Sequence, residues 1–472
     1  MKIQNFDIRK PNNKQNGIII RHESFGPLIW SHQMKNYYIL DDNYWDCVDF
    51  NWNSSNLGID QTHPLFPDLI WLGMDHGLEI IDHNSSHVLS APLEFYFDYT
   101  WLCNLAKARC GLESFCYTAE FLGPTTMDTQ DVTSVMNQLR DWGVMRVHLA
   151  GGEPLLRIKD LKNYLEAAQR NQLWTSVNSN AIMVDEQRME VILDAGLKSL
   201  SFSIDGYDEE TFAQVRGAGL FSRAIHGVRQ AIHYRDLAHS NMQIAIKPTF
   251  TAETTPEYLR NIVELSIDLG ADIVKLANVE RCQRHPKGHY KSQRNAYYSL
   301  LQEIMSLRDE YSDRIHVTVV NNPLTGCESI GIPGLTGCIG GQELLALNPN
   351  GDITPCLIHP RSFGNPLQEG ITLQEFWETN TNLANYRNEL TLLEQCNGCK
   401  LYSQCRSGSV TRRLSAEDNL NRDGRSGDFS ASKDELCPAD YLDENPGHVI
   451  PAQKRSLTPS GMLREVSVKH SL

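Results

Sequence analysis

Met145-Arg146-Val147-His148-Leu149-Ala150-Gly151-Gly152-Glu153-Pro154 is an apolar strand that runs into two glycines, a carboxylate and a proline. Glycines at a strand end mark a backbone that turns or approaches another group closely. The same kind of strand recurs on both sides. Segments 93–101, 173–178, 199–204, 242–249 and 273–277 join 145–150 to give six candidate strands. Between them lie stretches with apolar residues at helical spacing, among them 129–142, 158–170 and 256–269. Alternation of strand and helix predicts an α/β fold, with a parallel sheet and helical crossovers. In parallel barrels the working residues gather at the carboxyl ends of the strands. The Gly-Gly-Glu-Pro run falls at such an end.

Three regions separate along the chain. Residues 1–90 are β-rich: 17–30 reads as a hairpin, 37–40 as a third strand, and 67–74 as a short helix stopping near Gly77. Residues 91–320 carry the strand–helix alternation. Residues 321–446 are cysteine-rich and loop-rich, with a polar insert at 415–433 that reads as a mobile loop. Residues 447–472 read as a polar, flexible tail. A chain of 472 residues calls for two or three domains. Its 43 basic and 58 acidic residues leave a formal charge of −15, which argues against a nucleic-acid partner. No apolar run approaches the length of a membrane span, and residues 1–16 hold no signal-type apolar stretch. Twelve cysteines without an export signal point to metal ligation in a reducing cytoplasm rather than to disulfides.

Cys103-Asn104-Leu105, Cys110 and Phe115-Cys116-Tyr117 put three thiols on one loop, spaced C-x6-C-x5-C. Three thiolates can hold three irons of a [4Fe–4S] cluster and leave the fourth open to a ligand. Three unrelated reduced cysteines are the plain alternative. A second constellation follows: Cys327, Cys338, Cys356, Cys396, Cys399, Cys405 and Cys437. Within it, Gly351 to Cys356 gives G-x4-C, and Cys396 to Cys405 gives C-x2-C-x5-C. Spacing alone suits zinc as well as iron–sulfur clusters.

Taken together, these motifs resemble the radical S-adenosylmethionine (SAM) enzymes, whose signature is a Cys-Asn-Leu-type loop closing on Cys-Tyr, then a Gly-Gly-Glu-Pro strand end. The usual family loop is C-x3-C-x2-C, so each gap here is three residues longer. The resemblance implies a partial (β/α)6 TIM-like barrel. It implies that Cys103, Cys110 and Cys116 hold a SAM-binding cluster and that Glu153 accepts a hydrogen bond from the SAM amino group. Gly151, Gly152 and Pro154 shape the approach, and Phe115 and Tyr117 border the adenine. Asn180 stands where the family often has Thr-Asn-Gly. Ser203-Ile204-Asp205-Gly206, then Arg216-Gly217, is similar to the family's Ser-x-Asp-Gly … Arg-Gly segment. By that likeness Ser203 faces the ribose or carboxylate, and Arg216 pairs with the SAM carboxylate. A surface ion pair for Arg216 and a turn for Asn180 are the plain readings. Cys282, after the sixth strand, suits hydrogen-atom donation, cluster ligation or simple packing.

The second constellation resembles the SPASM extension of radical SAM enzymes that modify peptides. It implies two auxiliary [4Fe–4S] clusters, three in all. Cys327, Cys338 and Cys356 fall to one, and Cys396, Cys399, Cys405 and Cys437 to the other. Where the family often closes the former with a further cysteine, this chain has Ser409. Leu357 stands where sulfatase maturases carry a catalytic aspartate. The strand-strand-strand-helix order of 1–90 resembles leader-recognition domains, which bind a peptide by strand addition; a plain β-rich appendage is the alternative. The expected activity is hydrogen abstraction from a precursor peptide by a 5′-deoxyadenosyl radical, with an external electron donor and a separate leader-binding accessory protein as expected partners. The product class is open at this point: tyramine excision to leave a β-amino acid, as in the cyanobacterial spliceases, or epimerisation, thioether formation or crosslinking. A reading from another class is a non-catalytic, metal-bound peptide-binding scaffold.

Overall fold

The computed structural model describes residues 17–40, 63–82, 85, 87–105, 126–251, 253–278, 294–320, 335, 338–359, 361–390, 393–410, 412–413, 433–448, 450, 459–460 and 462–466. The chain divides into two compact units. One gathers Met1–Pro92, Glu328–Leu335 and Gln453–Ser471, and the other Leu93–Cys327 and Thr336–Ala452.

In the front unit, β1 (Ile18–Glu23) and β2 (Gly26–Ser31) form an antiparallel hairpin closed at Glu23↔Gly26, and β3 (Asn36–Leu40) continues it. The helix α1 (Phe66–Trp71) ends in a short turn at Gly77, and β4 (Leu78–Asp82) then returns parallel to β1. Ile18, Ile20, Ile29, Tyr38, Leu40, Leu69 and Leu72 bury one shared core. Burial of each such side chain contributes about 1.5–3 kcal/mol. The tail differs from its sequence reading. Leu463–Val466 form a fifth strand, antiparallel to β3, in the order fifth–β3–β2–β1–β4. Met462 and Leu463 join the core, and the Ser460 backbone N–H donates to Asp68 Oδ1 at 3.1 Å. Two apolar side chains and one buried carboxylate thus order a segment whose composition is polar.

In the second unit, β5 (Glu94–Thr100), β6 (Arg146–Gly151), β7 (Trp174–Ser179), β8 (Ser199–Phe202) and β9 (Gln243–Ile246) pair in sequence, all parallel. A two-residue strand, β10 (Thr249–Phe250), follows β9 and pairs with β11 (Ile273–Asn278), which also pairs parallel with β9. These strands lie where the sequence places its six. A further parallel strand, β12 (His316–Val320), pairs with β11. At the other edge β13 (Leu344–Leu347), from the cysteine-rich region, pairs parallel with β5, and β14 (Ile353–Thr354) turns back on it. Because β13 takes the outer edge of β5, the sheet is a partial barrel rather than a closed one.

The crossovers α2 (Thr129–Trp142), α3 (Ile158–Arg170), α4 (Glu186–Asp194), α5 (Glu209–Arg216), α6 (Phe221–Leu237), α7 (Pro256–Leu269) and α8 (Arg294–Glu310) carry the expected stops. Asp128 caps α2 through the Gln130 N–H, and Gly143 ends it at φ +84°. Thr255 caps α7, with Pro256 in its first turn. The cysteine-rich region packs on these helices. Trp377 meets Trp142 edge-on at 5.5 Å, and the Tyr298 hydroxyl donates to Leu436 O at 2.7 Å. Among the described residues, no helix is long and apolar enough to cross a membrane.

Candidate active site

At the carboxyl edge of the sheet, three distant stretches meet. Gly152 N donates to Thr100 O at 2.8 Å, and Glu153 N to Leu102 O at 2.8 Å. These bonds lay the strand end of β6 along the start of the first cysteine loop. Gly151 sits at φ +126°, and a Cβ there would stand 2.0 Å from Thr100 O. At Gly152 a Cβ would stand 2.1 Å from Leu102 O. What the two glycines make room for here is the chain itself, the backbone that carries Cys103.

Glu153 is fully buried. Its Oε1 accepts from Leu155 N at 3.0 Å and from the Ser179 hydroxyl at 2.9 Å, and its Oε2 accepts from Asn180 N at 2.7 Å. Burial pushes its carboxyl above the ordinary range, while the bonds from Asn180, Leu155 and Ser179 hold it back. Three accepted bonds leave one of roughly four acceptor positions on a carboxylate. Asn180 completes the junction. Its Oδ1 accepts from Ile182 N at 3.0 Å, the turn role, and its Nδ2 donates to Asn104 Oδ1 at 2.7 Å. Cys103 lies beside this pair, its Sγ accepting from Leu105 N at 3.4 Å. Cys110, Phe115, Cys116, Tyr117, Cys282 and Cys327 lie outside the described residues, as does the insert over 415–432.

Ser203 follows β8 and donates its N–H to Ser179 O at 2.9 Å. Asp205 is buried, with Oδ1 accepting from Thr249 N at 2.6 Å and Oδ2 from Arg216 Nε. Arg216 thus forms an ion pair with a buried carboxylate at the strand ends. Pro154 is buried, and its carbonyl accepts from the Tyr99 hydroxyl at 2.7 Å.

Below this edge the barrel interior holds a polar layer that sequence reading did not single out. Arg146 Nη1 donates to Glu94 Oε1 at 3.4 Å, His148 Nε2 lies 3.3 Å from the same oxygen, and His148 Nδ1 is 2.6 Å from Ser176 Oγ. Tyr96 stacks on His148 at 4.5 Å. Burial raises the Glu94 carboxyl, but His148 and Arg146 outweigh it and hold it low. Burial pulls the His148 imidazole down, against the attraction of Glu94. On β11, burial, with Lys247 and Arg146 adding repulsion, pulls Lys275 down to about 7. The signal for this layer is the polar side chain at alternate positions, Glu94, Tyr96 and Asp98 on β5 and Arg146 and His148 on β6, which breaks an otherwise apolar pattern.

In the cysteine-rich region, Cys356 follows β14 and packs with Leu357 against Tyr96, Ile339 and Leu344. Gly340 lies against Pro355, the residue before Cys356, where a Cβ would stand 3.2 Å away. Cys396 and Cys399 share a turn closed at 3.1 Å, Cys405 ends the short helix Tyr402–Cys405, and Cys437 opens Pro438–Glu444. Lys433 lies in the fields of both Cys437 and Cys396. Cys103, Cys338, Cys356, Cys396, Cys399, Cys405 and Cys437 are free thiols. Among the described residues no three His, Cys, Asp or Glu side chains already stand at metal-binding distance. The donor chemistry nonetheless fits an anionic thiolate cluster. Arg413, 1% exposed, has no hydrogen-bond partner for any guanidinium nitrogen among the described residues.

Residues 114–275 match the model of the radical SAM superfamily, and residues 338–400 match that of SPASM, an iron–sulfur cluster-binding domain. The chain is 24% identical over 318 residues to a PqqA peptide cyclase of Rhizobium meliloti, covering 66% of this chain and 80% of that one. It is 22% identical over 335 residues to the mycofactocin maturase MftC of Mycobacterium ulcerans, covering 70% and 85%. In fold it is similar to Streptococcus suis SuiB bound to S-adenosylmethionine, with a TM-score of 0.63 and 21% identity over 85% of this chain and 96% of that one.

Proposed function

The chain is a radical SAM enzyme with a SPASM extension, and from that premise we propose that it matures a ribosomally made precursor peptide. The observation that carries the reading is the junction of Cys103–Asn104, Glu153 and Asn180 at the carboxyl edge of the parallel sheet. Relatives support the substrate class. One is named for a peptide it cyclises, and SuiB has been solved bound to the precursor peptide SuiA.

In this reading Cys103, Cys110 and Cys116 hold the SAM-binding cluster. When bound, cluster and SAM supply a 5′-deoxyadenosyl radical that removes a hydrogen atom from the peptide. Glu153 offers its remaining acceptor position to the SAM amino group. Asn180 fixes the loop at Asn104, Asp205 orients Arg216 toward the SAM carboxylate, and Ser203, Phe115 and Tyr117 line the nucleoside. Cys327, Cys338 and Cys356 hold one auxiliary [4Fe–4S] cluster, and Cys396, Cys399, Cys405 and Cys437 the other, for three in all. Cys282 stands ready to ligate or to return a hydrogen atom. A leader segment adds as a strand to the front sheet, aided by an accessory leader-binding protein, and an external donor in a reducing cytoplasm supplies electrons. The finer reaction we propose is excision of a tyramine unit to leave a β-amino acid. Product mass separates it from the other outcomes: excision removes the unit, crosslinks and thioethers lose hydrogens, and epimerisation changes nothing. Anaerobic assay with the precursor tests the reading. Wild type forms 5′-deoxyadenosine and a modified peptide, and Cys103→Ala forms neither; deoxyadenosine from the Cys103→Ala protein would sink the proposal.

A further inference from the structure

Among the described residues, Arg413 is a buried cation with no hydrogen-bonded anion. Its Nε, Nη1 and Nη2 are all buried, and none has a hydrogen-bond partner among the described residues. Arg406, 3% exposed, places Nη1 on Glu343 Oε1 at 3.0 Å but leaves Nε and Nη2 in the same state. Arg412 shows what a satisfied arginine looks like in this region. Its Nε and Nη2 reach Asp434 at 2.9 and 2.8 Å. A guanidinium taken out of water without a counterion is strongly disfavoured. A negative group must therefore complete this pocket.

The neighbourhood says which kind. Arg406 directly follows Cys405, and the backbone reverses there through two left-handed residues, Arg406 at φ +51° and Ser407 at φ +70°. Non-glycine residues hold that conformation only when their surroundings require it. The buried Tyr402 hydroxyl lies between Cys399 and Cys405 in sequence. Burial raises its pKa, and Arg406, Cys396 and Arg413 all act on it as well. Both arginines and the cysteine turn thus share one neighbourhood. A diffusing anion has little route to a side chain that is 1% exposed. A cluster built in during folding needs none, and four thiolates outweigh the positive charge of an iron–sulfur core.

We propose that Arg413 and Arg406 are the counter-cations of the cluster held by Cys396, Cys399, Cys405 and Cys437, donating N–H to its sulfurs and raising its reduction potential. The assignment rests on the auxiliary-cluster reading above. Reduction adds negative charge to the cluster, so buried cations and N–H···S bonds favour the reduced form. Both residues act by positioning charge, not by touching substrate.

The test is a redox titration followed by electron paramagnetic resonance on full-length, anaerobically reconstituted protein. Cys103, Cys110 and Cys116 are replaced by Ala so that auxiliary signals stand alone. Arg413→Met should lower one auxiliary midpoint by at least a tenfold change in the reduction equilibrium, about 59 mV for one electron. Arg413→Lys, which keeps the charge, should retain most of the potential, and Arg406→Met should give a smaller drop. Loss of that cluster from Arg413→Met alone, with Arg413→Lys still loaded, also supports the assignment. An unmoved midpoint in Arg413→Met, or loss of the cluster from both Arg413 variants, overturns it. If Cys405→Ala leaves the iron content unchanged, the cluster reading itself fails and takes the assignment with it.

Discussion

Gly152→Ala should disable the site through geometry alone. A Cβ at this position stands 2.1 Å from Leu102 O, 2.5 Å from Leu102 C and 2.8 Å from Trp101 O. Ordinary contact begins at 3.4 Å, so the Leu102 carbonyl must retreat by about 1.3 Å, the difference between 3.4 and 2.1. That movement breaks the 2.8 Å bond from Glu153 N to Leu102 O. Cys103 is the next residue and moves with it. Misplacement of about 1 Å costs positioned chemistry on the order of 100-fold, and forcing the methyl into a packed site costs about 1–3 kcal/mol of stability. The assay is the rate of 5′-deoxyadenosine formation under saturating SAM, normalised to iron bound. Gly370→Ala is the control. It has a positive φ of +70° but nothing within 4 Å of its Cβ, so it should keep the rate. A wild-type rate from Gly152→Ala would refute the claim that this glycine sets the distance between the strand end and the cysteine loop.

Asn180→Ala removes the 2.7 Å bond to Asn104 and the turn to Ile182; SAM cleavage should fall about tenfold, at a stability cost near 1 kcal/mol, read by initial rates and thermal melts. Lys275→Met tests the buried lysine on β11. Below about pH 7 folded and unfolded Lys275 are both protonated, so the burial penalty is fully present. Between about 7 and its unfolded value of 10.5, the unfolded state holds the extra proton and stability rises with pH. The variant should therefore exceed wild type by on the order of 4 kcal/mol at pH 6, with the gap closing toward pH 10; a pH-independent gap in denaturant melts would contradict this. Leu463→Asp puts a charge in the front core and should cost about 3 kcal/mol or more. Hydrogen exchange at β3 should then rise while β5–β9 stay protected.

Much of the barrel was legible because each crossover announces itself. The bounds 129–142, 158–170 and 256–269 coincide with α2, α3 and α7 because a cap or proline opens α2 and α7, an apolar stripe runs along all three, and glycine closes α2 and α7. The short strands β12, β13 and Leu463–Val466 were not read. Four or five residues carry little periodicity, and their partners lie far away in sequence. The functional motifs were visible as chemistry at fixed spacing, but their mutual bonds were not. Nothing in Asn180 alone says that its amide reaches Asn104. The Glu94–Arg146–His148 layer hid for the opposite reason. Its charges sit where a strand is expected to be apolar, and only the neighbouring strand makes them a network. Arg413 resembles any surface arginine until its burial is known.

The most direct test of the account is a single anaerobic sample of reconstituted full-length protein, in which iron, sulfide and zinc are quantified and 5′-deoxyadenosine is assayed after reduction in the presence of SAM. The account predicts about 12 irons per chain, as three cubane clusters require, with deoxyadenosine formed. Zinc without iron, and SAM left intact, would contradict it and leave a metal-bound binding scaffold in its place.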